Sequence, residues 1–150
     1  MRVTTYRFGI EEPVQVPDEA IIEITPGLNG FEHLHRYALI VDDDSPVEWL
    51  QSLEDPQVAF ALLEPFLFYP EYGFELSDAD CAALALSRPE DAAVRCILTL
   101  HQTADEITAN LLAPVVLSRT ARRARQIVLQ DSNLPLRFPV IDALRLPLSA

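Results

Sequence analysis

The sequence predicts a mainly β fold: a small antiparallel β-barrel-like domain with one or two short helices. Three observations lead there. Short segments of alternating apolar and polar residues recur at close intervals, each only a few residues long. They are bounded by proline, glycine or aspartate rather than by linkers, with 12 prolines against 4 glycines in the chain. A single stretch breaks the period-two pattern with helix signals.

In chain order, Tyr6–Phe8, Val14–Val16 and Ala20–Thr25 open as short strands. Arg36–Val41, Val47–Leu53, Val58–Leu63, Val94–Leu100, Val115–Ser118 and Gln126–Gln130 are the clearest candidates. Between them, Pro26-Gly27, Ser45-Pro46 and Asp55-Pro56 read as turns, because proline presets the φ that a turn requires. In Val94–Leu100 the residues Val94, Cys96, Leu98 and Leu100 alternate with Arg95, Ile97 and Thr99, which points Cys96 into the core. The helix starts at Ser77, a capping residue followed by Asp78 and Asp80, and continues through the alanine-rich Cys81–Leu86. Many short strands with little helix favour a barrel or sandwich, which limits exposed strand edges.

A chain of 150 residues, 49% of them hydrophobic, suffices for one core that buries roughly 68–70% of the unfolded surface. One domain over 1–150 is expected, with its core at about 5–140 and a mobile tail at 141–150. No run of eighteen apolar residues appears, and Met1–Ile10 lacks the basic start and apolar block of a secretion signal, so a cytoplasmic location without membrane contact is expected. Cys81 and Cys96 fit neither a redox pair nor a zinc framework, and both are expected to be reduced.

The net charge of −12 is unevenly placed: residues 1–91 carry −15 and residues 92–150 carry +3. An acidic first half repels phosphate backbones and attracts basic proteins, which argues against direct nucleic-acid binding. Acidity also keeps a small protein soluble, so charge alone does not identify a partner.

Catalytic signatures are missing from the sequence: it has no G-x-S-x-G, no P-loop, no G-x-G-x-x-G and no H-E-x-x-H. No enzymatic activity and no cofactor are expected. His33 and His35, two apart, with Asp42-Asp43-Asp44 downstream could be read as a metal-dependent hydrolase site. The three aspartates directly precede Ser45-Pro46, however, and a solvated turn explains them without a metal. Pro65–Phe74 holds five aromatics in ten residues, with prolines that bar it from a central strand. It reads either as a flap sealing the core or as an aromatic edge for a partner. Arg119, Arg122, Arg123 and Arg125 read as an exposed hairpin, with a grip on an acidic peptide or RNA as the alternative.

The ordered phrases of the chain resemble the flagellar assembly factor FliW family from Thr5 to about Val140. They begin with Ile21-Ile22-Glu23-Ile24 and Pro26-Gly27-Leu28-Asn29-Gly30-Phe31-Glu32, where Asn29 replaces the family's proline. Trp49-Leu50-Gln51-Ser52, Asp55-Pro56, the run from Pro65 to Tyr72, Leu76-Ser77-Asp78, the run from Thr108 to Pro114, and Gln126-Ile127-Val128-Leu129 follow in order. The chain departs from the family in having no lysine, in the arginines and alanines of 119–125, and in the tail from Asp142. The resemblance implies a β-barrel-like domain that binds flagellin and CsrA, a translational regulator and small RNA-binding dimer. Flagellin held in the cytosol would occupy the protein, and its export would free the protein to capture CsrA and lift repression of flagellin translation. A chaperone-like module of this kind is expected to be a monomer when free. The residues expected to meet the partner are Asp42, Asp43, Asp44, Glu48, Tyr69, Glu71 and Tyr72, with Asn110 supporting the adjacent strand, because charged rims steer encounter and aromatic anchors supply affinity.

Overall fold

The computed structural model describes residues 1–100, 106–130 and 132–141. In chain order its strands are β1 (Arg2–Thr5), β2 (Glu12–Gln15), β3 (Ile21–Ile24), β4 (Arg36–Val41), β5 (Glu48–Ser52) and β6 (Ala59–Leu63). Helix α1 (Asp78–Ala83) follows, and then β7 (Ala93–Thr99), β8 (Thr108–Ala109), β9 (Val115–Ser118), β10 (Arg123–Gln126) and β11 (Phe138–Pro139). Strands β3, β4, β5, β6, β7, β9 and β10 hydrogen-bond in that order, and β10 returns to β3 to close a ring. β8 and β11 extend the sheet from β7, while β1 and β2 form a separate hairpin.

The ring is not wholly antiparallel. β10 runs parallel to β3, with Arg123 opposite Glu23 and Ala124 opposite Ile24. A closed ring of seven strands cannot alternate direction all the way round, so one neighbouring pair must run the same way.

Closure separates two cores. Ile22, Ile24, Tyr37, Leu50, Leu62, Leu117 and Ala124 come from strands all round the ring and fill its inside. Ala38, Ile40, Trp49, Ala61, Cys96 and Leu98 lie on the opposite faces of β4 to β7 and form a second, outer core. Val3 and Val16 of the hairpin region, Phe68, Tyr72, Leu111 and Val140 cover that outer face. A fully buried leucine such as Leu50 or Leu62 contributes about 1.5–3 kcal/mol relative to exposure.

Local chemistry accounts for the places where elements begin and end. Tyr6–Phe8 is a turn rather than a strand, because Gly9 at φ +86° folds the chain back and its N–H reaches Tyr6 O at 2.9 Å. After β10, Ile127 N and Leu129 N donate to Pro114 O and Leu112 O, in register with the β9–β10 pairing. Pro114 has no N–H to return, so 127–130 leaves the ladder although it keeps alongside. The helix is shorter than expected: Ser77 Oγ caps it by accepting from Asp80 N at 3.0 Å, and it ends where Ala85 adopts φ +54°. Leu86 N then donates to Cys81 O and Ala85 N to Ala82 O, closing the last turn. In the Pro26–Glu32 turn, a Cβ on Gly27 would stand 2.7 Å from Glu32 Cα and 2.8 Å from the carbonyl oxygens of Phe31 and Glu32, so only glycine fits. Among the described residues, no helix is long and apolar enough to cross a membrane. The expectation for the tail falls, beyond Ile141, outside the described residues.

Candidate functional site

The β4–β5 connection carries Asp42-Asp43-Asp44-Ser45-Pro46. Ser45 N bonds Asp42 O at 3.2 Å and Val47 N bonds Ser45 Oγ at 3.1 Å, so the turn is held by its own backbone and hydroxyl. Asp43 and Asp44 are exposed and Asp42 is half-buried. Arg7 reaches across from the β1–β2 hairpin, with Nη1 2.9 Å from Asp42 Oδ2 and Nε 3.2 Å from Glu12 Oε1. Its side chain is only 4% exposed. Burial alone would lower its pKa, but the bonds and charges of Glu12 and Asp42 outweigh burial and raise it. Arg7 thereby fastens the hairpin to the turn and neutralises Asp42, which leaves Asp43 and Asp44 as the projecting negative charges.

Beside this turn lies a shallow groove of about 430 Å³, walled by Phe8, Val47, Trp49 and Leu100 and rimmed by Asp42 and Asp44. Phe8 is 62% exposed and meets Trp49 edge-on with ring centroids 5.5 Å apart. The Arg7 guanidinium sits 4.5 Å above the Phe8 ring and braces it. An exposed aromatic held rigid beside Asp44, which forms no ion pair among the described residues, offers apolar contact and attraction to cations in one place.

The residues expected to meet a partner fall into separate settings. Asp42, Asp43 and Asp44 share the groove's side of the barrel. Glu48 begins β5 with its side chain on the same face as Leu50, toward the inside of the ring, and bonds Arg95 Nε at 2.6 Å. Both side chains are largely buried, at 14% and 12% exposure, so this pair stoppers one mouth of the barrel. Tyr72 is 4% exposed and donates its hydroxyl to Leu111 O at 2.7 Å. Tyr69 packs edge-on against Phe138 and Tyr72, and Glu71 between them is exposed. Asn110 Oδ1 accepts from Leu112 N and Ala113 N, so Asn110 shapes the turn beside Tyr72. The aromatic stretch is thus a flap at Phe68 and Tyr72, while Phe66 and Leu67 remain 43% and 51% exposed. Arg7, Phe8 and Leu100 were not among the expected contact residues. An aromatic flanked by Arg7 and Gly9 in a turn was the available signal for Phe8.

The histidines do not join the aspartates. His33 lies in a turn and His35 precedes β4, with Nδ1 3.1 Å from Ile24 O. Asp42 follows the other end of that strand, roughly 23 Å away at about 3.3 Å per residue. Among the described residues, no group of three or more His, Cys, Asp or Glu could hold a metal ion. The arginines of 119–125 are not all in a loop: Arg123 and Arg125 lie in β10. Arg123 donates to Ala83 O, Arg125 pairs with Asp80 at 3.4 Å, and Arg122 donates to Asp18 O, so three of the four hold neighbouring elements in place. Cys96 is buried, and burial pushes its thiol up to about 12, far from a reactive thiolate.

A family model described as "FliW protein" matches residues 3–140. This chain belongs to the FliW family. It is 42% identical over 146 residues to the flagellar assembly factor FliW of Bdellovibrio bacteriovorus, covering 97% of this chain and 82% of that one. It is 37% identical to the one from Syntrophus aciditrophicus, with 94% and 88% covered. A crystal structure of the flagellar assembly factor FliW superposes with a TM-score of 0.83 at 27% identity, covering 93% of this chain and 96% of the other. FliW proteins are flagellar assembly factors and not a known family of enzymes.

Proposed function

We propose that this protein binds flagellin and the translational regulator CsrA by turns in the cytoplasm, and so couples flagellin translation to flagellum assembly. The observation that carries this reading is the projecting Asp43–Asp44 pair beside the Phe8–Trp49 groove. An RNA-binding regulator must present positive charge to phosphate, and the acidic turn complements such a surface while the groove supplies an apolar anchor. Exchange of partners needs no bond chemistry. Flagellin in excess occupies the protein by mass action, and removing flagellin releases that capacity to the second partner.

The test is calorimetric titration of the full chain with purified CsrA and with flagellin, singly and in competition. Each should bind, and each should weaken the other. Reversing the charge of Asp43 and Asp44 to lysine should slow association with CsrA by about tenfold at low salt and flatten its salt dependence. Failure of both proteins to bind the wild type would refute the reading.

A further inference from the structure

On the other side of the Asp42–Asp44 turn, the barrel's hydrogen-bond ladder has a gap. β3 pairs with β4 only from Ile21 opposite Ala38 to Glu23 opposite Arg36, whereas β4 runs on to Val41. The alternation of antiparallel bonding fixes where the surplus groups point. Leu53 N donates to Arg36 O, so even-numbered residues of β4 bond toward β5. Ile24 N donates to His35 O, so odd-numbered residues bond toward β3. The Ile21–Ala38 pair turns Leu39 N–H toward Ala20 O, whereas Leu39 C=O and the N–H and C=O of Val41 aim at a position that β3 does not reach. The preceding chain does not fill it, because Asp18–Ala20 coils into a 3-10 turn and Ala20 N closes on Pro17 O at 3.0 Å.

A groove of about 210 Å³ occupies this position, with Val14, Val16, Pro17 and Ala20 on one wall and Leu39–Asp42 on the other. Val41 is 56% exposed there. Asp18, Glu19, Asp43 and Asp44 are exposed on the two segments that flank it. Four cations stand near this acidity: Arg7 is held by Glu12 and Asp42, Arg122 donates to Asp18 O at 3.3 Å, the Met1 ammonium donates to Val16 O at 2.7 Å, and Arg2 lies opposite Gln15; among the described residues none of them forms an ion pair with Asp18, Glu19, Asp43 or Asp44.

We propose that this open edge of β4 is a docking site for an extended, basic segment of a partner protein, which adds a strand to the barrel through Leu39 C=O and the backbone of Val41. Strand addition satisfies the surplus backbone groups, lays alternate apolar side chains on Val14 and Ala20, and brings basic ones toward the acids. The inference rests on the reading of the chain as a protein-binding module and assigns one contact surface to it.

The probe is a capped, fluorescently labelled octapeptide alternating lysine with valine, followed by anisotropy. Two further versions are N-methylated on one or the other set of alternate residues, so that charge and side chains are kept while one row of backbone donors is lost. The plain peptide should bind, weaken as salt is raised, and lose about tenfold or more in affinity in one N-methylated version but not the other. Val41→Pro removes an N–H that points away from β5, and an edge position tolerates proline. This variant should melt within a few degrees of wild type and bind the plain peptide about tenfold more weakly. Asp43→Asn with Asp44→Asn should slow association while leaving the difference between the two N-methylated versions intact. No binding of the plain peptide, or binding indifferent to both N-methylation and Val41→Pro, overturns the docking site. Normal peptide binding by a protein that takes neither CsrA nor flagellin would leave the site standing and sink only the choice of partners.

Discussion

Replacing Glu48 by alanine isolates the stopper at the barrel mouth. The carboxylate lies 2.6 Å from Arg95 Nε, and the two side chains are 14% and 12% exposed. Its removal leaves a guanidinium held by Val94 O alone, at 2.8 Å. Breaking one partner of a fully buried pair costs about 3–5 kcal/mol; residual exposure brings the expectation for Glu48→Ala to about 2–4 kcal/mol. For a chain of this length that corresponds to a fall in Tm of roughly 5–12 °C. Replacing both partners with apolar residues, Glu48→Leu with Arg95→Met, removes the desolvated charges together and should stay within about 1.5 kcal/mol of wild type. The assay is urea denaturation of Glu48→Ala and of the four proteins of the cycle, wild type, Glu48→Leu, Arg95→Met and their double variant, with stability read from midpoints at constant slope. A Glu48→Ala loss under about 0.5 kcal/mol, or additive single variants, would show that the pair is solvated and the mouth unsealed.

Gly27→Ala should be poorly tolerated, because its methyl would stand 2.7 Å from a backbone carbon; a loss of about 3 kcal/mol or more is expected from denaturation. Ala85→Gly should stabilise by about 0.5–1 kcal/mol, since Ala85 holds φ +54° and relief of that strain exceeds glycine's extra unfolded entropy. The Glu54 carboxylate accepts the N–H groups of His35 and Arg36, and these bonds, His35 first, hold its pKa below the ordinary 4.5. Its stabilisation is therefore present above the unfolded pKa and lost as pH falls through the depressed folded value, so Glu54→Gln should flatten the acid limb of a Tm-against-pH curve. An unchanged acid limb would place the effect in other carboxylates.

Much of the barrel was legible because turn chemistry and period-two alternation agreed at the same places. β4 and β9 occupy the predicted Arg36–Val41 and Val115–Ser118. β8 and β11, two residues each, are too short to show a period and exist only because β7 offers an edge. The separation of inner and outer cores was not legible, because β4 to β7 are apolar on both faces and alternation cannot say which face is inside. The same limit applies to Glu48. Its spacing places it on Leu50's face, but the cation that decides its role lies 47 residues away. Asp42–Asp44 announced a turn, yet Arg7 and Phe8 reach it through tertiary packing from a segment that looked like a strand.

The arginines explain which carboxylates of so acidic a chain are tied into the fold and which stay outside it. Eleven cations face 23 acids, and the structure spends several of them on fastening elements together: Arg7 ties the hairpin to the turn, Arg95 seals the barrel, and Arg125 holds α1 to β10 through Asp80. A planar guanidinium suits these tasks because it binds several acceptors at fixed angles, which a lysine ammonium does not. Each clamp removes a carboxylate from the outward field at a point where the fold needs it bound. Asp43 and Asp44 remain outside every such clamp, on a turn rigidified from beneath by the pair that holds Asp42. Their charge is therefore presented without the conformational freedom that would weaken a contact on binding. Neutralising them should alter the rate of encounter with a basic protein far more than the stability of the fold, whereas loss of Arg7 should disturb both.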